Sequence, residues 1–256
     1  MGSRVRYYLA SIPTILGQIE NWYVLFLLLL GKRRAVLRLR NGCRFIVRSL
    51  MDAWIVKETC LDREYEAKGT RIEDGWTVVD VGAGIGDFAV CVARRNPGCR
   101  IYAFEPFRES FELLEQNIAL NGVRNVTPFQ VAVGARSGRT RLLAAGEAVQ
   151  YTTVPRGDSS PALEVEVVSL EEAFEQGGIT HCDFLKIDCE GCEFETLLDA
   201  HPTVFERIQR ICVEYHDGFT DRSHGDLADG LRRRGFQVQV FPNPVHGHLG
   251  LLYAYR

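Results

Sequence analysis

No charge of one sign dominates this chain. Thirty Lys/Arg against 33 Asp/Glu leave a net charge of −3, so no global basic field points to a nucleic-acid partner. No apolar run reaches the roughly 20 residues that a spanning helix needs. Trp22–Leu30 holds nine, with Glu20 and Asn21 before it and Gly31-Lys32-Arg33-Arg34 after it. A basic cluster in that place also departs from a cleavable signal, which ends on small residues. Arg6 stands where an N-myristoylation motif requires Ser or Thr. The eight cysteines lack the spacing of a disulfide framework. Cys189-Glu190-Gly191-Cys192 lacks the second pair that a four-ligand zinc site requires. Most cysteines lie in apolar stretches, where the side chain acts as a small hydrophobe, and this predicts a reducing, cytoplasmic setting. No internal repeat is present, and the composition excludes disordered, collagen-like and coiled-coil chains.

What is present suits one full-sized α/β domain: 256 residues, 46% hydrophobic and 25% charged. The charge is unevenly placed. Residues 1–50 hold nine Lys/Arg and one acid, Glu20, a net of +8, which leaves −11 on the rest. Two roles fit the apolar run at 22–30. It can pack on the domain as a helix. Alternatively, residues 1–34 can make peripheral membrane contact, with Arg4, Arg6 and Lys32–Arg34 flanking the apolar residues.

Residues 1–75 read as a helix, hairpin, helix preface. Two short alternating runs flank Asn41-Gly42, a type I′ hairpin signal, and Asp52 is placed to cap a helix running to about Ala67. From residue 76 strands and helices alternate. Strands are predicted over 77–81, 100–105, 127–133, 165–169, 183–188, 208–216, 235–241 and 249–255. The helices lie at 87–95, 107–120, 170–176, from about 193, and at 224–234. Residues 136–162 read as loop. This alternation predicts a Rossmann-like, mostly parallel sheet with helices on both faces. The turn-rich link Pro242-Asn243-Pro244 makes the last strand antiparallel.

The first strand of that domain runs into Val81-Gly82-Ala83-Gly84-Ile85-Gly86-Asp87, a glycine turn between strand and helix where a ligand can approach the backbone. The spacing is Gly-x-Gly-x-Gly. A dinucleotide fingerprint needs its third glycine where Asp87 stands. The acid Asp80 suits an amino group better than a phosphate. The second strand ends Phe104-Glu105-Pro106, and a carboxylate there can accept both hydroxyls of a ribose. An adenosine-like ligand with a cationic amino-acid tail and no phosphate meets these demands, and S-adenosylmethionine is such a molecule. Asp80, Val81, Gly82, Ala83, Gly84, Gly86, Glu105, Pro106 and Asp188 are the expected cofactor residues.

At this point the chain resembles class I methyltransferases. The run Asp183-Phe-Leu-Lys-Ile-Asp-Cys-Glu-Gly-Cys-Glu193 narrows the resemblance to the FkbM family of S-adenosylmethionine-dependent methyltransferases. So do Leu39-Arg40-Asn41-Gly42 with Phe45, Val47, Arg48 and Asp52, and Ile211-Cys-Val-Glu-Tyr-His216. The resemblance covers residues 35–216 and departs from the family's pattern at Cys189, Cys192 and Ser169. It implies a class I methyltransferase fold with a seven-stranded sheet and methylation of hydroxyls on natural products and sugars.

Ligands of open α/β sheets bind beyond the carboxyl ends of the strands. Asp188, Glu190, Glu214 and His216 fall there and are the expected catalytic residues. His216 is the first choice of general base, since histidine titrates near neutral pH, and Asp188 is the second. Mg²⁺ held by Asp188 and Glu214 is the alternative way to activate a hydroxyl. Lys186, within a strand, is expected to pair with a carboxylate, and Glu193 to complement a helix dipole. Taken together, residues 1–75 form a lid on a methyltransferase domain, residues 76–256, acting on a hydroxyl of a small molecule, natural product or glycan. An NAD(P)-dependent oxidoreductase and a non-catalytic, membrane-associated cofactor-binding module are the competing functions.

Overall fold

The computed structural model describes residues 2–144, 151–152 and 162–256. The preface begins with helices α1 (Gly2–Gln18) and α2 (Val24–Leu29). A hairpin of β1 (Ala35–Arg38) and β2 (Arg44–Val47) follows. Leu37, Phe45 and Val47 alternate inward and are fully buried, as period-two patterning requires. The turn is not type I′. Only Gly42 has positive φ, at +88°, while Asn41 is not in the left-handed region. The Gly42 N–H donates to the Leu39 carbonyl, and the Leu39 N–H to the Cys43 carbonyl. This is a type I turn closed by a glycine bulge, which needs a single left-handed residue.

The next helix is interrupted. α3 (Leu50–Val56) is capped by Ser49, whose side chain accepts the Asp52 N–H. Asp52 instead accepts the N–H and guanidinium of Arg48. A π-helical turn over Lys57–Asp62 leads to Arg63 at φ +54°, and α4 (Glu64–Ala67) follows. One continuous helix to Ala67 is thereby corrected.

The main domain carries β3 (Thr77–Val81), α5 (Asp87–Arg95), β4 (Arg100–Phe104), α6 (Arg108–Asn121) and β5 (Val126–Phe129). Then come β6 (Ala132–Gly134), β7 (Gly138–Ala144), β8 (Tyr151–Thr152), β9 (Ala162–Ser169) and α7 (Leu170–Gln176). The chain ends with β10 (Phe184–Ile187), α8 (Glu193–Leu198), α9 (Pro202–Phe205), β11 (Arg210–His216), α10 (His224–Arg233), β12 (Gln237–Pro242) and β13 (Leu249–Tyr255). Seven strands form one sheet in the order β12-β13-β11-β10-β3-β4-β5. β13 is antiparallel to both neighbours, and the other pairings are parallel. The sheet matches the sequence expectation, with apolar clusters on its two faces.

Two expectations change between residues 127 and 162. The strand at 127–133 divides, with β5 in the main sheet and β6 in a second sheet of order β6-β9-β7-β8. The expected loop contains β7 and β8, and β9 begins at Ala162. Residues 145–150 and 153–161 lie outside the described residues. The Gly, Ser and Pro content of the stretch hid strands whose pairing is antiparallel and non-local.

The preface shares its core with the domain. Leu37, Phe45, Val56 and Cys60 pack with Ile85, Val90 and Leu113. Asn117, fully buried on α6, accepts the Ile46 N–H and donates to the Ile85 carbonyl, tying hairpin to glycine turn. Cys60 is disulfide-bonded to Cys91, and Cys189 to Cys192. Cys43, Cys99, Cys182 and Cys212 are buried free thiols. Acting as a small hydrophobe therefore describes these four and not the bonded four. Among the described residues, no helix is long and apolar enough to cross a membrane.

Candidate active site

β3 and β10 lie side by side, and their ends build the site. Ile187 pairs with Val81, so Asp188 leaves β10 beside Gly82 and donates its N–H to the Val81 carbonyl at 3.0 Å. A Cβ on Gly82, at φ +76°, would stand 1.8 Å from the Asp188 carbonyl oxygen. Only glycine lets these strand ends close up. The turn also hangs on β4. The Gly82 and Ala83 N–H groups donate to the Phe104 carbonyl, and the Gly84 N–H donates to Glu105 Oε2 at 2.8 Å. Gly84 differs from Gly82. At φ +54° its Cβ would meet nothing nearer than Asp87 Oδ1 at 3.9 Å, because Gly84 borders a cavity.

Val81, Gly82, Gly84, Glu105, Pro106, Asp188 and Glu190 line that cavity. Preface residues Arg48, Met51, Asp52, Ile55 and Tyr65 complete its wall. Asp80, Ala83 and Gly86 are off the wall. Asp80 is fully buried. Its Oδ1 accepts the Lys186 ammonium at 2.9 Å, while Oδ2 has no partner. Lys186 thus pairs with a carboxylate as expected. The acids that reach the wall beside the turn are Asp87 and Glu105. Burial pushes Asp87 up to about 6 and Glu105 up to about 7, the latter opposed by the N–H groups of Phe107 and Gly84. Asp87 was visible in the sequence only as the residue that broke a dinucleotide pattern.

Tyr65 left no sequence signal. Its buried hydroxyl lies 2.8 Å from Asp188 Oδ2 and 3.0 Å from Glu214 Oε2. A hydroxyl carries one proton, so it donates to one carboxyl and accepts from the other. Burial, reinforced by the Asp188 charge, holds Glu214 well above the usual carboxylate range. Tyr65 donates to Asp188, and Glu214 is the carboxyl whose proton affinity its surroundings raise. Glu214 also lines a neighbouring cavity with Asp62, Glu64, Lys68 and Phe241. There, burial and Glu58 push Glu64 up to about 7.

His216, the first choice of general base, lies off the walls of both cavities. It is 4% exposed. Nδ1 is 3.1 Å from Glu193 Oε1 and Nε2 is 3.6 Å from Glu190 Oε2. Burial opposes the charge, but the Glu193 hydrogen bond and the Glu193, Glu190 and Asp188 charges push His216 up to about 10. A ring protonated at neutral pH has no lone pair to offer a substrate. Glu193 is more than a dipole partner. It is fully buried and accepts N–H groups of both Gly191 and His216. The Cys189–Cys192 disulfide closes the same turn, where Glu190 has φ +53°.

Asp188 and Glu214 meet through a phenol, and among the described residues no cluster of three or more His, Cys, Asp or Glu is arranged to hold a metal ion. The residues present do not fit the expected Mg²⁺ site.

An open, mostly parallel sheet with one antiparallel strand, a glycine turn after the inner strand β3 and an acid at the end of the neighbouring strand together define a Rossmann-like methyltransferase fold. The model of the methyltransferase FkbM domain matches residues 80–238, and the chain belongs to that family. It is a methyltransferase, which closes the oxidoreductase alternative. Its relatives include the 31-O-demethyl-FK506 methyltransferase FkbM of Streptomyces tacrolimicus. The two are 28% identical over 239 residues, 82% of this chain and 91% of that one. The hexuronic acid methyltransferase AglP of Haloferax volcanii is 25% identical over 181 residues, 69% and 72% of the two chains. A solved structure of a methyltransferase FkbM from Methylobacillus flagellatus KT shares the fold, with a TM-score of 0.52 and 19% identity over 72% of this chain and 44% of that one.

Proposed function

We propose that this protein methylates a hydroxyl of a small molecule or glycan, using S-adenosylmethionine, with residues 1–75 as the lid. The cradle suits that cofactor. Gly84 leaves open wall where any side chain would fall. Glu105 spends one lone pair of each oxygen on a backbone N–H, which leaves others for ribose hydroxyls. Asp87 and Glu190 supply negative charge on the wall for the amino group, and Asp188 stands near enough to face the sulfonium, a charge that S-adenosylhomocysteine lacks. Bound there, the cofactor supplies a methyl group already activated as an electrophile.

The protein's part is to orient the acceptor and receive its proton. Asp188 is the wall carboxylate suited to take it. Tyr65 donates to Asp188 Oδ2, Glu214 holds the phenol in that orientation, and Lys186 lies 4.0 Å from the same oxygen. The Tyr65 bridge between the ends of β10 and β11 is the observation that carries this reading. The names of the 31-O-demethyl-FK506 and hexuronic acid relatives support an oxygen-bearing acceptor.

The test is incubation with methyl-labelled S-adenosylmethionine and metabolite extract, followed by mass spectrometry of the labelled product. An O-methylated product, lost in Asp188→Asn while S-adenosylhomocysteine still binds, is expected. Label on nitrogen, or turnover unchanged by Asp188→Asn, overturns the proposal.

A further inference from the structure

A run of exposed large hydrophobic side chains extends from Leu9 to Met51. On α1, Leu9, Ile12 and Leu16 repeat at helical spacing and are 57%, 44% and 47% exposed. Around α2, Phe26, Leu29 and Leu30 are 58%, 67% and 83% exposed, with Trp22 beside them. The opposite side of the same segment is fixed, because Ile19, Val24 and Leu28 are buried in the preface core. The segment is therefore apolar on both sides, one packed and one open. A concentration of this kind on a soluble face marks an interaction surface.

Charge indicates what covers it. Lys32, Arg33 and Arg34, all exposed, follow the band directly, and the first fifty residues carry +8 while the rest carries −11. A second copy docked through this face would set two like-charged clusters against each other, since a two-fold interface repeats the same patch on both sides. We infer that the face docks on an anionic lipid bilayer, with the apolar band in the headgroup boundary and Lys32–Arg34 on the acidic headgroups. Both helices are too short to span, and an apolar face bordered by basic residues lies in the interface plane. Leu50 and Met51 continue the band onto α3, which packs on α2, and Met51 lines the cavity. Docking thereby brings the mouth of the site to the lipid surface.

The test uses the full chain and sucrose-loaded phosphatidylcholine vesicles with and without phosphatidylglycerol. Co-sedimentation with the anionic vesicles is expected at low salt, weakened by high salt and by omitting phosphatidylglycerol. Lys32→Ala/Arg33→Ala/Arg34→Ala should lower the partition coefficient roughly a hundredfold, since each basic residue contributes about 1 kcal/mol, a factor of about five. Phe26→Glu/Leu29→Glu/Leu30→Glu should abolish pelleting while keeping its circular dichroism and its affinity for S-adenosylhomocysteine. In the wild-type chain, Trp22 emission should shift blue on adding anionic vesicles, and Trp22→Phe should remove the shift. No pelleting at low salt, or equal pelleting by the glutamate variant, overturns the inference. A vesicle-free dimer that the glutamate variant splits also overturns it.

Discussion

The Tyr65 hydroxyl donates to Asp188 Oδ2 at 2.8 Å, joining the start of α4 to the end of β10 across 123 residues of chain. One phenol from the preface thus fixes the carboxylate proposed to receive the acceptor proton. It also separates that carboxylate from Glu214, 3.0 Å away on the other side.

Tyr65→Phe removes this bridge without changing the apolar contacts of the ring with Phe88. Turnover is expected to fall by roughly 10², the usual scale of a lost acid–base arrangement, while calorimetric affinity for S-adenosylhomocysteine changes little. A variant with wild-type kcat would remove Tyr65 from the machinery.

The glycines of the turn should separate by readout. Gly84→Val places a branched side chain in the cavity, so cofactor binding is lost, at a stability cost of about 1–3 kcal/mol from its φ of +54°. Gly82→Ala drives a Cβ into the Asp188 carbonyl and should lower Tm further still. Intact binding in Gly84→Val, measured by calorimetry, would place the cofactor elsewhere.

His216 is pushed up to about 10, above its ordinary value near 6.5. Its folded form holds the proton more tightly, so its contribution to stability is complete below pH 6.5. That contribution declines as pH rises and is gone above about 10. The Tm gap between wild type and His216→Gln is therefore expected to narrow steadily from pH 6 to pH 10. A gap that widens over this range contradicts the assignment of His216 as a buried cation between Glu190 and Glu193.

Two disulfides leave four thiols of the eight cysteines. Alkylation of the unfolded, unreduced protein should add four labels, on Cys43, Cys99, Cys182 and Cys212, and reduction should raise the count to eight. Peptide mapping that finds Cys189 and Cys192 labelled without reduction would refute the bond that closes the Glu190 turn. Cys189→Ser/Cys192→Ser should lower turnover more than cofactor affinity, since that turn carries Glu190 and abuts Asp188.

Much of the frame was legible because its signals are local. The strands Thr77–Val81 and Phe184–Ile187 announce themselves by apolar runs broken once each, at Asp80 and Lys186, as near-continuous buried parallel strands do. The Gly82–Gly86 turn follows from backbone requirements that only glycine meets. The hairpin was visible and its turn type was not, because Asn41 tolerates either conformation and the flanking strands decide. The strand at 138–144 and the first residues of the strand at 162–169 were hidden, since their stability comes from pairing with each other and not from composition.

The sequence by itself determined the alternation of strands and helices in the main sheet, the glycine turn, and the set of acids delivered to the strand ends, all properties written within a few residues of one another. Only the tertiary structure decided what those acids do. It put Asp80 beneath the cavity against Lys186, brought Tyr65 between Asp188 and Glu214, and enclosed His216 between carboxylates that keep it protonated. Proton affinity and hydrogen-bond partnership depend on burial and on charges met through space, supplied by residues from 23 positions away, as Glu193 is from His216, to 123, as Tyr65 is from Asp188.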